Sequence, residues 1–153
     1  MDTRTVDQEI SLIPYYPAPD ITLRWYQDPE LCLLVDNKDH IYDTDMLNRM
    51  YDYLSTNGEC YYIQYRGALV GDISLLDSGE ICVVICREYQ GLKIGSRSLI
   101  NILSLAEEKG LPEVKARIFP FNTVSRMMFE SAGFRRISEE WFTCEIPVND
   151  RII

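Results

Sequence analysis

Three runs rich in β-branched and aromatic residues, at 59–65, 68–75 and 80–86, follow one another with only Arg66-Gly67 and Asp77-Ser78-Gly79 between them. Connections this short join antiparallel neighbours, because a parallel return needs a crossover of a dozen or more residues. The stretch therefore predicts a meander. The apolar period then changes from two to helical. Leu99, Leu103 and Ala106 share one face, Gly110 stands where a C-cap glycine belongs, and Pro112 blocks continuation. Residues 113–119 read as a strand that this helix lets run parallel to the third run in the same sheet. A second helix from about Asn122 to Ala132 stops at Gly133, and 134–146 offers two short strands around Glu139-Glu140.

Upstream, Thr44 is the expected N-cap of a helix carrying Leu47, Tyr51 and Leu54 at helical spacing beside Met46, Met50 and Tyr53, with Asn57-Gly58 as its stop. Earlier signals are shorter: a strand at 10–13, a helix capped by Asp20 and running through Trp25, and a helical turn after Pro29. The chain has 153 residues, 46% of them hydrophobic, enough for one core, and shows neither repeat nor linker. The expectation is a single domain, 1–153, of α/β (α+β) class: a mixed, mostly antiparallel sheet flanked by helices.

A formal charge of −9 repels phosphate backbones and anionic membranes, which argues against nucleic-acid or membrane partners. The longest apolar runs are far short of the roughly 20 residues a membrane helix requires, and MDTRTVDQEI lacks the layout of a signal peptide. A soluble, cytoplasmic protein is expected. Cys32, Cys60, Cys82, Cys86 and Cys144 are scattered without a CxxC pair and His40 is the only histidine, so the thiols read as small buried apolar groups and no metal site is expected.

The segment carrying most chemical information is EYQGLKIGSRSL, a glycine-containing turn that opens a helix. Such a junction directs several unpaired backbone N–H groups at one point, which suits a phosphate. Taken alone it reads equally as an ordinary capped loop. A dinucleotide turn is disfavoured, since a meander precedes it and GxGxxG is absent. Downstream, Asn122 and Ser125 open a short helix, Phe129 falls on its later turn and Gly133-Phe134 ends it.

In this order the two segments resemble the GNAT family of N-acetyltransferases, over residues 69–134. The resemblance implies a GNAT-like acyl-CoA N-acyltransferase fold and acetyl-CoA as acyl donor. In the family a Gln/Arg-x-x-Gly-x-Gly/Ala turn cradles the coenzyme's pyrophosphate. Here Gln90 and Gly95 hold the first and last positions, and Lys93 replaces the middle glycine. A lysine enters the left-handed conformation less easily than glycine. Cofactor contacts are implied for Gln90, Gly91, Leu92, Lys93, Ile94, Gly95 and Ser96, with Arg97 as a charged helper, Asn122 and Ser125 along the pantetheine or pyrophosphate path, and Phe129 on the second motif helix. Gly95→Asp is expected to repel the pyrophosphate and leave the domain folded.

The implied reaction is direct attack of a neutral amine on the thioester, with the oxyanion held by strand amides between Val83 and Cys86, near Ile85. Many relatives place a tyrosine where Phe129 stands, so the thiolate here lacks that acid. Glu80 and Asp72 are the carboxylate candidates for the base, and Trp25, Tyr26, Tyr51, Tyr61 and Tyr62 are candidates for an acceptor pocket or for core. The acceptor is a primary amine of a small molecule or of a protein or peptide, and a second copy of the chain is a candidate partner as a homodimer. The alternative is a GNAT-fold module that binds coenzyme A in a regulatory role with little or no turnover.

Overall fold

The computed structural model describes residues 1–147. The meander forms as expected: β3 (Gly58–Tyr65), β4 (Ala68–Leu76) and β5 (Ile81–Ile85) pair antiparallel in sequence order. Upstream, β1 (Arg4–Thr5) and β2 (Ile10–Pro14) extend this sheet on its β3 side, giving the order β1-β2-β3-β4-β5. Its burial is nearly continuous along β3 and β4 because helices lie on both faces.

On one face packs α3 (Thr44–Thr56), through buried Leu47, Tyr51 and Leu54. Its N-cap is Asp43, whose carboxylate accepts from Met46 N at 2.8 Å; Thr44, the expected cap, is already helical. Asp20 likewise falls inside the short α1 (Pro19–Thr22), which tightens into a 3-10 turn over Leu23–Gln27. Asp28 then caps α2 (Pro29–Asp36), accepting from Glu30 N and Leu31 N, with Pro29 supplying a first helical residue that needs no donor. On the other face lies α4 (Ile94–Glu108), burying Leu99, Leu103 and Ala106 as its periodicity predicts.

The expected single mixed sheet is divided. β6 (Glu113–Arg117) pairs antiparallel with β8 (Trp141–Glu145), and β8 with β7 (Arg135–Arg136), as a second sheet of order β6-β8-β7. The two sheets touch at one parallel bridge, Glu80 with Lys115, where Lys115 N donates to Gly79 O at 3.0 Å. Beyond that bridge β5 and β6 part. α5 (Thr123–Ser131) follows β6, with Asn122 as N-cap. The C-terminal half of β5 is thus left with an unpaired edge, opening a wedge between the two sheets.

Candidate active site

The turn after β5 is shaped by three local interactions. Gln90 Nε2 donates to Ile85 O at 2.9 Å, tying the turn back to the end of the strand. Gly91 sits at φ +84°, and Lys93 takes the left-handed conformation itself, φ 61° and ψ 21°, as the N-cap of α4. Arg97 reaches back from the first turn of α4 to accept-only groups, donating to Leu92 O at 3.3 Å and Lys93 O at 3.4 Å. The carbonyls are thereby held on one side. Among the described residues the backbone N–H groups of Gly91 through Ser96 have no protein acceptor. α4 also has no side-chain cap and no acid in its first turn, so neither of these offsets the positive end of its dipole. An anion of phosphate type is what such a cradle takes.

Arg97, expected as a phosphate helper, has its charge engaged within the chain. Its guanidinium also pairs with Asp7 at 3.0 Å and Glu9 at 2.9 Å, so its charge is matched by carboxylates of the amino-terminal region. Its part is to brace the turn. Gly95 is closely packed: a Cβ there would stand 3.0 Å from Met128 Sδ, which would have to shift, 3.6 Å from Ile85 Cγ1 and 3.8 Å from Val83 Cγ1. Gly95→Asp would set a carboxylate against these apolar atoms as well as against the pyrophosphate, so a lower melting temperature is expected beside the loss of coenzyme A binding.

The unpaired edge of β5 supplies a second set of donors. Cys86 N donates to Val70 O at 2.8 Å, which with the β4–β5 register makes Cys86, Val84 and Cys82 the residues bonded to β4. The amides of Val83 and Ile85 consequently point out of the sheet edge into the wedge. The proposed oxyanion segment narrows to these two, because the Cys86 amide is already spent.

Across the wedge, Asn122 Oδ1 accepts from Ser125 N at 3.2 Å while its Nδ2 donates to Leu34 O at 3.2 Å, linking α5 to α2. At its other end α2 is held by Arg87, which donates to both carboxylate oxygens of Asp28 at 2.6 Å and to Glu30 at 2.9 Å. The result is a cleft of about 640 Å³. Gln90, Gly91, Lys93, Ile94, Gly95 and Ser96 form one wall, Val83, Val84 and Ile85 its back, and Asn122, Thr123, Val124, Ser125, Met127 and Met128 the facing wall. Leu31, Leu34 and Val35 of α2 close it with an aliphatic surface.

The model of the Acetyltransferase (GNAT) family matches residues 15–134, which takes in the meander, the turn, α4, β6 and α5. The chain belongs to this family. Solved structures agree with the fold. An acetyltransferase from Agrobacterium tumefaciens is 16% identical with a TM-score of 0.77, covering 94% of this chain and 92% of its own. A spermidine N-acetyltransferase from Vibrio cholerae, in complex with CoA and spermine, is 12% identical with a TM-score of 0.74, covering 91% and 96%. A GNAT family acetyltransferase from Elizabethkingia anophelis with acetyl-CoA bound is 17% identical with a TM-score of 0.65, covering 92% and 100%.

Several side chains named from the sequence lie elsewhere in this GNAT acetyltransferase. Phe129 is buried, 3% exposed, with its ring edge-on to Phe134 at 4.9 Å between centroids, and it does not line the cleft. Leu92 is exposed and likewise outside the lining. Glu80 sits at the bridge where the sheets part, also outside it. Trp25, Tyr26, Tyr51, Tyr61 and Tyr62 are buried core, and the side of the cleft assigned to them is formed by α2 instead. The alternation Leu31, Leu34, Val35 behind an Asp28-Pro29 cap is the helical signal that marks this wall. Among the lining residues the only carboxylate is that of Glu30, already paired with Arg87. No helix among the described residues is long and apolar enough to cross a membrane.

Asp72 is fully enclosed and does not reach the cleft. Its Oδ2 accepts from Tyr26 OH at 2.6 Å and Tyr51 OH at 2.8 Å, joining β4 to the 3-10 turn and to α3. Burial pushes its carboxyl up to about 6, against the opposing effect of the two hydroxyls. An unfolded aspartate titrates near ~3.9, so the folded state holds this proton more tightly. The contribution to stability is full below about pH 4 and is lost as pH rises through 6, a difference of about 3 kcal/mol. Asp72→Asn keeps an oxygen for both hydroxyls and carries no charge. Urea unfolding across this pH range should show the variant more stable than the parent above pH ~6, with the gap closing towards pH ~4. A gap independent of pH would show that the carboxyl is not the titrating group.

Proposed function

We propose that the protein is an N-acetyltransferase that binds acetyl-CoA with its pyrophosphate on the N–H groups of Gly91–Ser96 and its thioester at the free edge of β5, and transfers the acetyl group to a primary amine. The supporting observation is the uncapped start of α4, with consecutive amides that the chain leaves without acceptors. The pantetheine arm would run inward between β5 and α5, past Asn122 and Ser125. There the amides of Val83 and Ile85 face the carbonyl oxygen, and donors so placed stabilise the charge that develops when the amine attacks. The tetrahedral intermediate collapses with loss of the thiolate, and the proton shed by the amine nitrogen passes to the thiolate or to solvent. A thiol of pKa about 8.5 leaves tolerably without an acid, which makes a phenylalanine at 129 compatible with turnover.

A second reading, a coenzyme-binding module without turnover, is favoured by Phe129 and by the absence of an unpaired carboxylate lining the cleft. Calorimetric titration with acetyl-CoA, followed by thiol release over a panel of polyamines, amino acids and peptide amino termini, separates the two. Binding with thiol release on at least one amine is the expected result. Binding with none supports the module, and absence of binding removes both readings.

A further inference from the structure

Past the end of β6, Pro120 and Phe121 make a turn that Asn122 N closes on Phe119 O at 2.9 Å just before α5, and it brings the rings of Phe119 and Phe121 together. Arg117 Cζ lies 5.1 Å from the Phe119 ring centroid, and the Phe119 and Phe121 rings are stacked, 5.7 Å apart with planes 4° from parallel. The guanidinium and the two rings form a short ladder that is buried at Phe119 and half exposed at Phe121. Phe121 also lines the cleft, and among the described residues it stacks on Phe119 alone. One aromatic face at the mouth of the cleft is thus backed by a fixed ring and open in front.

Its place follows from α5. Met128 lies against Gly95 at the phosphate turn, and Val124, one helical turn of about 5.4 Å towards the start of α5, is 81% exposed. Phe121 precedes it. The ladder therefore ends at the outer rim, whereas Val83 and Ile85 lie at the inner end of the same cleft. A ligand anchored by phosphates between these two ends sends its thioester inward and whatever lies beyond the phosphates outward. A flat aromatic heterocycle is what an open, supported ring face accepts.

We propose that Phe121 is the stacking platform for the adenine ring of the coenzyme. This rests on the coenzyme reading above. The test compares coenzyme A, which carries the adenosine, with 4′-phosphopantetheine, which lacks it, in calorimetric titrations of the wild type, Phe121→Ala, Phe121→Leu and Phe121→Trp. Base stacking on an aromatic side chain predicts a loss of about fivefold or more in coenzyme A affinity for the alanine and leucine variants, and near-wild-type affinity for tryptophan. Affinity for 4′-phosphopantetheine should stay the same in all four. Thermal melting of the variants should match the wild type, because the ring is half exposed. Unchanged coenzyme A affinity in Phe121→Ala would overturn the proposal, as would an equal loss for both ligands, which would make Phe121 a wall of the pantetheine path. If the wild type binds no coenzyme A, the coenzyme reading itself fails.

Discussion

Ser96→Glu should raise the melting temperature of the protein and at the same time weaken coenzyme A binding by about 100-fold or more. The two effects have one origin. Ser96 is the third residue of α4, where a carboxylate meets the positive end of the helix dipole and can accept from first-turn N–H groups, an arrangement that stabilises by about 0.3–1 kcal/mol. The same carboxylate would stand where the pyrophosphate is bound, and two like charges about 5 Å apart repel by roughly 3 kcal/mol at an effective dielectric constant of 20. Ser96 lines the cleft and is partly exposed, so the longer side chain meets no packed core. Melting curves and calorimetry on the same sample read both signs. A stabilised variant with unchanged affinity would place the phosphates away from α4.

Replacing a backbone donor needs proline. Ile85→Pro removes the N–H that faces the wedge and leaves the β4 ladder intact, because the bonded residues of β5 are Val84 and Cys86. If that amide holds the oxyanion, kcat should fall about 10²- to 10³-fold, with coenzyme A affinity changed little. Val83→Pro is the companion, and the larger loss identifies the donor nearer the carbonyl oxygen. Equal, small effects on kcat in folded variants of both would remove these amides from the reaction.

What the sequence made legible was local. The meander, the helix that follows and the glycine turn are each written in one contiguous stretch, by period and by punctuation, and all formed. The features that were misread depend on distant partners. Arg97 looked free for a phosphate because Asp7 and Glu9, which take its charge, lie 90 and 88 residues away. Phe129 could be placed on α5 from the pattern, but which way its ring turned depended on Phe134 across the Gly133 turn. Asp72 resembled a base at a strand position, and nothing near it in sequence shows that Tyr26 and Tyr51 enclose it. The division into two sheets was also hidden, since a parallel strand with one bridge has the same hydrophobic pattern as one with five.

Lys93 was the departure from the family turn that weighed most against it. It takes the left-handed conformation that a glycine would take more easily, and the amides after it remain free. The replacement alters the side chain at the rim of the cradle and preserves the donors within it.

Titrating the wild-type protein with coenzyme A and with pantetheine, which shares the thiol arm and lacks every phosphate, isolates what the start of α4 contributes. Coenzyme A should bind with clear saturation and pantetheine at least about 100-fold more weakly, the scale set by charge-assisted bonds to the amide cradle. Equal affinity for the two, or no binding of coenzyme A, would contradict the assignment of Gly91–Ser96 as the pyrophosphate site.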